Sequence, residues 1–227
     1  MKTTPFPSLI CWLALPLLTT AAGPKDEIVA AARSLGAKPN YAWRSTVAVP
    51  EGSQFRPGPT DGKTERDGFT YLMVSFGDAV IEAAFKDGKA VVTNQEGEWE
   101  LVSETDEGEG LARFRNRMFR NFKTPAAQAA ELAAGTRDLK KEGDAYSGDL
   151  TEEGAKAQFR FGNVSGAKGS ARFWVKDGVL TKYEVKIQGK VEFNGNERDV
   201  DRTTTVEIKD VGTTKVNVPE AAKKKLG

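Results

Sequence analysis

From 179 to 193 the chain alternates between apolar and polar residues. Val179, Thr181, Tyr183, Val185, Ile187, Gly189, Val191 and Phe193 fall on one side of an extended backbone, and Lys182, Glu184, Lys186, Gln188, Lys190 and Glu192 on the other. Asn194-Gly195 is a hairpin signal, and the chain returns through Val200, Thr204, Val206 and Ile208, alternating with Asp199, Asp201, Glu207 and Lys209. Asp177-Gly178 joins a preceding strand at 170–176. Fifteen residues at about 3.3 Å each predict a strand of about 50 Å, well beyond the usual strand of about 5 to 6 residues. Such a strand needs twist and curvature to wrap a core, and Gly189, bare on the apolar face, is the expected bend.

Elsewhere the elements are shorter. Ile28, Val29, Ala32 and Leu35, with Gly36 beyond, predict a helix at 26–35. A strand follows at 41–49, where Tyr41, Trp43, Val47 and Val49 alternate with polar or small residues until Pro50. Residues 51–68, rich in Gly, Pro and charge, read as a mobile loop or long hairpin tip. Runs at 69–76, 79–85, 89–93 and 99–102, separated by Gly77-Asp78, Asp87-Gly88 and Glu96-Gly97, predict an antiparallel meander.

The middle of the chain turns helical. Leu111, Phe114, Met118 and Phe122 recur at helical spacing, and Thr124-Pro125 caps and opens an alanine-rich helix that Gly135 closes. A strand is predicted at 138–148, a short helix from Thr151 to about Phe159, and a loop at 163–168. The architecture implied is α+β: a single curved antiparallel sheet with helices covering its concave face.

The first residues change the picture of location. Lys2 precedes an apolar run at 9–18 and the small residues Thr20, Ala21 and Ala22, the order of a cleaved secretory signal peptide. The run is too short for a membrane span of about 20 residues. Cys11 lies inside it behind Ile10, so the small residue that lipidation requires is missing. Removing 22 of 227 residues leaves 205 in one expected domain, without cysteine. Loss of Lys2 takes 33 basic residues to 32, equal to the 32 acidic ones, so no global field recruits nucleic acid.

The chain has no histidine, which excludes triads with a His base, His-ligated zinc and imidazole proton shuttles. No Gly-rich phosphate loop or nucleophile elbow is present. No enzyme and no cofactor are therefore expected. Glu104, Asp106, Glu107 and Glu109 form an acidic cluster without the pattern of a calcium loop. Asn163-Val164-Ser165 is a formal glycosylation sequon that carries nothing in a bacterial protein. Residues 111–123 combine the apolar stripe with Arg113, Arg115, Arg117, Arg120 and Lys123. That segment is either a basic amphipathic helix touching anionic lipid or a helix packed on the sheet with arginines in solvent; a lid satisfies both. Trp43, Trp99 and Trp174 can line a pocket or fill the core.

The leading helix and Trp-bearing strand, the meander from Lys86-Asp87-Gly88 to Gly97-Glu98-Trp99, the helical insert at 111–160 and Phe173-Trp174-Val175-Lys176-Asp177-Gly178 before the long hairpin resemble one broad family. It comprises the prokaryotic lipoprotein-localisation and lipid-binding proteins typified by LolA, LolB and the LppX/LprG group. The ending around Val218-Pro219-Glu220 resembles that of close relatives of unknown function. The resemblance implies an unclosed half-barrel with acyl chains held between sheet and helices. It makes Trp43, Phe85, Phe114, Met118, Phe122, Phe173, Tyr183, Val185, Ile187, Val206 and Ile208 the candidate hydrophobic cavity. The expected function is non-catalytic binding of lipid, acyl chain or lipoprotein in the periplasm, with lipid or acylated protein as partner and peripheral contact with an anionic membrane. The alternative is a cell-envelope structural or interaction module without a ligand.

Overall fold

In the computed structural model eleven strands form one antiparallel sheet in the order β6-β5-β4-β3-β2-β1-β11-β10-β9-β8-β7. They are β1 Asn40–Ala48, β2 Thr60–Glu65, β3 Thr70–Phe76, β4 Ala79–Lys86, β5 Lys89–Thr93, β6 Trp99–Leu101, β7 Thr136–Glu142, β8 Ala145–Leu150, β9 Asn163–Lys176, β10 Val179–Phe193 and β11 Asn196–Lys209. The helices are α1 Pro24–Gly36, α2 Gly110–Arg120, α3 Pro125–Ala134, α4 Glu152–Lys156 and α5 Glu220–Leu226. The structure describes residues 23–53, 56–105, 110–159, 162–193 and 195–227, with backbone alone at 110–112, 114 and 193. The expected leader with Cys11, most of the acidic cluster (Asp106, Glu107, Glu109) and Asn194 lie outside the described residues.

Neighbouring strands are consecutive in sequence except at the centre, where β1 pairs with β11. The two edges, β6 and β7, do not pair with each other, so the sheet is an unclosed half-barrel. The link between them must cross from one edge to the other, and α2 and α3 make that crossing over one face. Ile28, Ala31, Ala32 and Leu35 of α1 are buried at the spacing of one helical face and pack on β10 and α3. They join Tyr41, Trp43, Leu72, Phe173, Tyr183, Ile187 and Val206 in the main core.

The fifth helix lies on the other face. Ala83 and Ala84 are both 0% exposed, and their partners Val92 and Val91 are likewise buried. Successive strand residues point to opposite faces, so this end of the sheet is covered on both sides. Ala222 and Leu226 of α5 supply the second cover, with Val218, Ala84, Val91 and the partly buried Trp99.

Four sequence expectations are corrected. The predicted loop 51–68 contains β2, whose polar sequence has little strand preference of its own but pairs on both sides with β1 and β3. The strand predicted at 138–148 is instead the hairpin β7–β8, turned by Gly143 at φ +64. The predicted loop 163–168 belongs to β9; opposite Gly189 the pairing passes from Gln188↔Lys168 to Lys190↔Ser165, so β9 holds one extra residue there, with Gly166 at φ +59. The short helix α4 stops at Lys156 rather than near Phe159; Thr151 caps it, its hydroxyl accepting from the Gly154 N–H at 3.0 Å.

The expected alternation holds along β10 from Tyr183, with Tyr183, Val185 and Ile187 buried and Lys186 exposed. Before that point the register shifts between Leu180 and Lys182, adding a residue to β10, which is how Leu180 comes to be fully buried. The bulge opposite Gly189 falls where the bend was expected. A Cβ on Gly189 would stand 3.0 Å from Phe159 Cζ, so the missing side chain admits the segment after α4 against the strand.

Candidate functional site: a cavity under the helical crossing

Because α2 and α3 must bridge the sheet, space is left between them and the strands beneath. A partly open cavity of about 500 Å³ lies there. Its floor is the inward face of the central strands: Trp43 and Ser45 from β1, Thr60 from β2, Leu72 and Val74 from β3, Tyr183, Val185 and Ile187 from β10, and Arg202, Thr204 and Val206 from β11. Register sets this floor, since Ser45, Val206 and Tyr183 share one rung and Thr204 and Val185 the next but one. The roof is Met118 and Phe119 of α2, the linker 121–123, the face of α3 bearing Gln128 and Leu132, and Gly154 of α4 with the segment Ala157 to Phe159.

Aromatic rings close one end. Trp43 stacks on Phe122 with centroids 6.3 Å apart, Phe122 stacks on Phe85 at 4.5 Å, and Tyr41 leans on Trp43 at 5.8 Å. The indole of Trp43 lies flat over Gly62, where a Cβ would come within 2.1 Å of the ring. Strand β2 therefore carries glycine at the residue that faces Trp43 across the ladder. Burial pushes the Tyr41 hydroxyl above the usual phenol range, with Thr124 and the Ala126 backbone acting weakly in the other direction.

Polar contacts tie roof to floor. The Tyr183 hydroxyl donates to Gln128 Oε1 at 2.8 Å, and Gln128 Nε2 donates to the Lys123 carbonyl at 3.0 Å. Arg202 Nη2 donates to the Gln158 carbonyl at 2.8 Å, and Lys123 Nζ contacts the Glu131 carboxylate at 2.6 and 2.7 Å.

Seven of the candidate residues line the cavity: Trp43, Met118, Phe122, Tyr183, Val185, Ile187 and Val206. Phe85, Phe173 and Ile208 sit in or against the core without lining it, and the side chain of Phe114 lies outside the described residues. The helix expected to carry Phe122 ends at Arg120, so Phe122 enters from the linker, its N–H donating to the Phe119 carbonyl at 3.1 Å. Thr124 flanks α3 as expected but makes no side-chain cap bond.

The arginines of α2 do not all face outward. Arg115 reaches β5 and β6, donating to the Thr93 carbonyl at 3.0 Å and pairing with Glu100 at 3.2 Å. Arg120 donates to the carbonyls of Ser103 and Thr105. These two fasten the helix to the sheet edge and to the loop before it. Trp99 belongs to the second core, and Trp174 lies on the outer face under Lys182 Nζ at 4.6 Å and Arg172 at 5.0 Å; neither lines the cavity.

Phe119, Gln128, Phe159 and Arg202 were not anticipated. For Arg202 the signal was present: it is in phase with Thr204, Val206 and Ile208, a charged residue on the apolar face of a strand. Among the described residues no group of three or more His, Cys, Asp or Glu is placed to hold a metal ion, and no helix is long and apolar enough to cross a membrane.

No protein-family model matches the chain, and no curated protein matches it. Solved structures do. LprF from Mycobacterium bovis shares 9% identity at a TM-score of 0.48, covering 88% of this chain and 97% of its own. The Mycobacterium tuberculosis lipoprotein LppX shares 10% identity at a TM-score of 0.48, covering 86% of this chain and 98% of its own. The likeness is remote.

Proposed function

We propose that this chain is a non-catalytic binding protein of the bacterial periplasm that takes the acyl chain of a lipid or acylated protein between its sheet and its helical crossing. The cavity carries this reading: about 500 Å³, roofed by α2 and α3, with Trp43, Leu72, Val74, Val185, Ile187 and Val206 on a floor that also bears Ser45, Thr60, Thr204 and Arg202. Ligand sites of drug-sized molecules span about 300–1,000 Å³, a range that includes this volume, and polar groups in them orient the occupant. Burying a methylene is worth about 0.8 kcal/mol, so a ten-carbon stretch gains about 8 kcal/mol before the costs of association. Such a site needs no reacting group, and a chain without histidine is suited to it.

Native mass spectrometry of the protein purified from a bacterial host tests the reading. A complex heavier than the chain by one lipid is expected, as is a rise in thermal midpoint when a fluorescent fatty acid is added to delipidated protein. A bare mass together with an unmoved midpoint would replace the reading with a ligand-free envelope module.

The location rests on Lys2, the apolar run at 9–18 and Ala22. Expressed with its leader in a Gram-negative host, the protein is expected in the soluble periplasmic fraction with Gly23 at its N-terminus. Material still starting at Met1, or palmitate incorporated at Cys11, would overturn this.

A further inference from the structure

The floor of the cavity has two unlike ends. On β11 the inward residues run Ile208, Val206, Thr204, Arg202, and Trp43 faces Ile208 across the ladder. Six residues at about 3.3 Å each separate the Trp43 rung from the Arg202 rung by about 20 Å. Between them lie Tyr183 and Val185. The surface therefore passes from the stacked rings of Trp43 and Phe122 past Val206, Tyr183, Thr204 and Val185 to a guanidinium, whose Nη2 donates to the Gln158 carbonyl at 2.8 Å and which stays protonated throughout the physiological pH range.

The whole chain carries a formal charge of only +1. Of the charged side chains that line the cavity among the described residues, Lys123 follows Phe122 at the aromatic end and is held by Glu131 at 2.6 Å, whereas Arg202 lies on the far rungs of β11. A guanidinium at this end of the floor favours a negative head group over a positive one.

We infer that the occupant is a long-chain fatty acid, its carboxylate at Arg202 and its tail laid past Val185 and Tyr183 toward Trp43 and Phe122. The inference rests on the acyl-chain reading of the cavity and adds the class and orientation of the ligand. A carboxylate matches the planar guanidinium in charge and shape. A phosphate monoester carries about −1.5 to −2 charge at neutral pH, more than one guanidinium neutralises.

The test uses three probes with the same tail-end fluorophore on delipidated protein at pH 8: the fatty acid, its methyl ester and the corresponding alkyl phosphate. The acid is expected to bind about tenfold more tightly than the ester, the scale of one charge-assisted hydrogen bond. Raising salt is expected to narrow that ratio. Arg202→Gln is expected to bring it to about one, and Arg202→Lys to keep part of it, with thermal midpoints confirming that both variants fold. Equal binding of acid and ester by the wild-type protein, a ratio unchanged in Arg202→Gln, or tighter binding of the phosphate would each overturn the inference while leaving the acyl-chain site standing. Failure of all three probes to bind would remove that site itself.

Discussion

Replacing Phe173 by alanine is expected to lower stability by about 3–5 kcal/mol. The ring is 0% exposed and stands on one rung with Tyr146 of β8 and Tyr183 of β10, so no solvent or mobile side chain is at hand to fill the space it leaves. It lies outside the cavity lining, which separates its loss from any change in ligand binding. For a chain of this size 1 kcal/mol moves the thermal midpoint by about 2–4 °C, so calorimetry should show a fall of about 6–20 °C. Arg172→Ala, next in sequence and exposed on the opposite face, should stay within about 0.5 kcal/mol of the wild type. Equal midpoints for the two variants would mean that the faces of β9 are assigned the wrong way round.

Gly62→Ala is expected to destabilise the protein although it adds only one methyl. The new Cβ would lie 2.1 Å from Cζ2 and 2.2 Å from Cε2 of Trp43, and the indole is held by Tyr41 on one side and Phe122 on the other. A flexible side chain would swing aside; a packed indole has to take its neighbours with it. Overpacking of this kind costs about 1–3 kcal/mol and sometimes more. The near-ultraviolet circular dichroism of the tryptophans should change together with the midpoint. Adding Trp43→Leu should recover part of the loss, because residues in contact do not contribute additively. If the double variant is simply the sum of the two single ones, the ring and the glycine are not in contact.

The same pair shows which parts of the molecule could be read from the chain. Strands with one wet face, such as β10 and β11, announce themselves by alternation, and the Asp-Gly and Asn-Gly turns between strands mark their ends. Strand β2 does not. Its sequence, TDGKTE, is polar and glycine-bearing, and it is a strand because β1 and β3 offer it partners on both sides. The hairpin β7–β8 looks like one strand in sequence because its turn, Gly143-Asp144, lies inside a run of charges.

The cavity was legible where its walls are strands. Tyr183, Val185, Ile187 and Val206 follow from period-two alternation alone. The roof was less so, since periodicity places residues around a helix axis but does not say where the helix stops. Phe122 was given to the helix and belongs to the linker. Arg202 does not belong to the apolar pattern of β11, yet as the charged exception in phase with it, it is the more informative position.

The order of strands also dictates when the sheet can be completed. Every neighbouring pair but one joins strands consecutive along the chain, and such local hairpins form within about 1–10 μs. The exception is the central pair, in which Ala42 meets Lys209 and Ala48 meets Thr203. Closing it brings together nearly the whole described chain and carries the loop-closure entropy of everything between. Two half-sheets, β1 to β6 and β7 to β11, are thus free to assemble before they know of each other, and their seam is the expected slow step of folding. A chain synthesised from its N-terminus holds β1 unmatched on that side until β11 has been made, so the molecule stays unlocked until its last strand arrives.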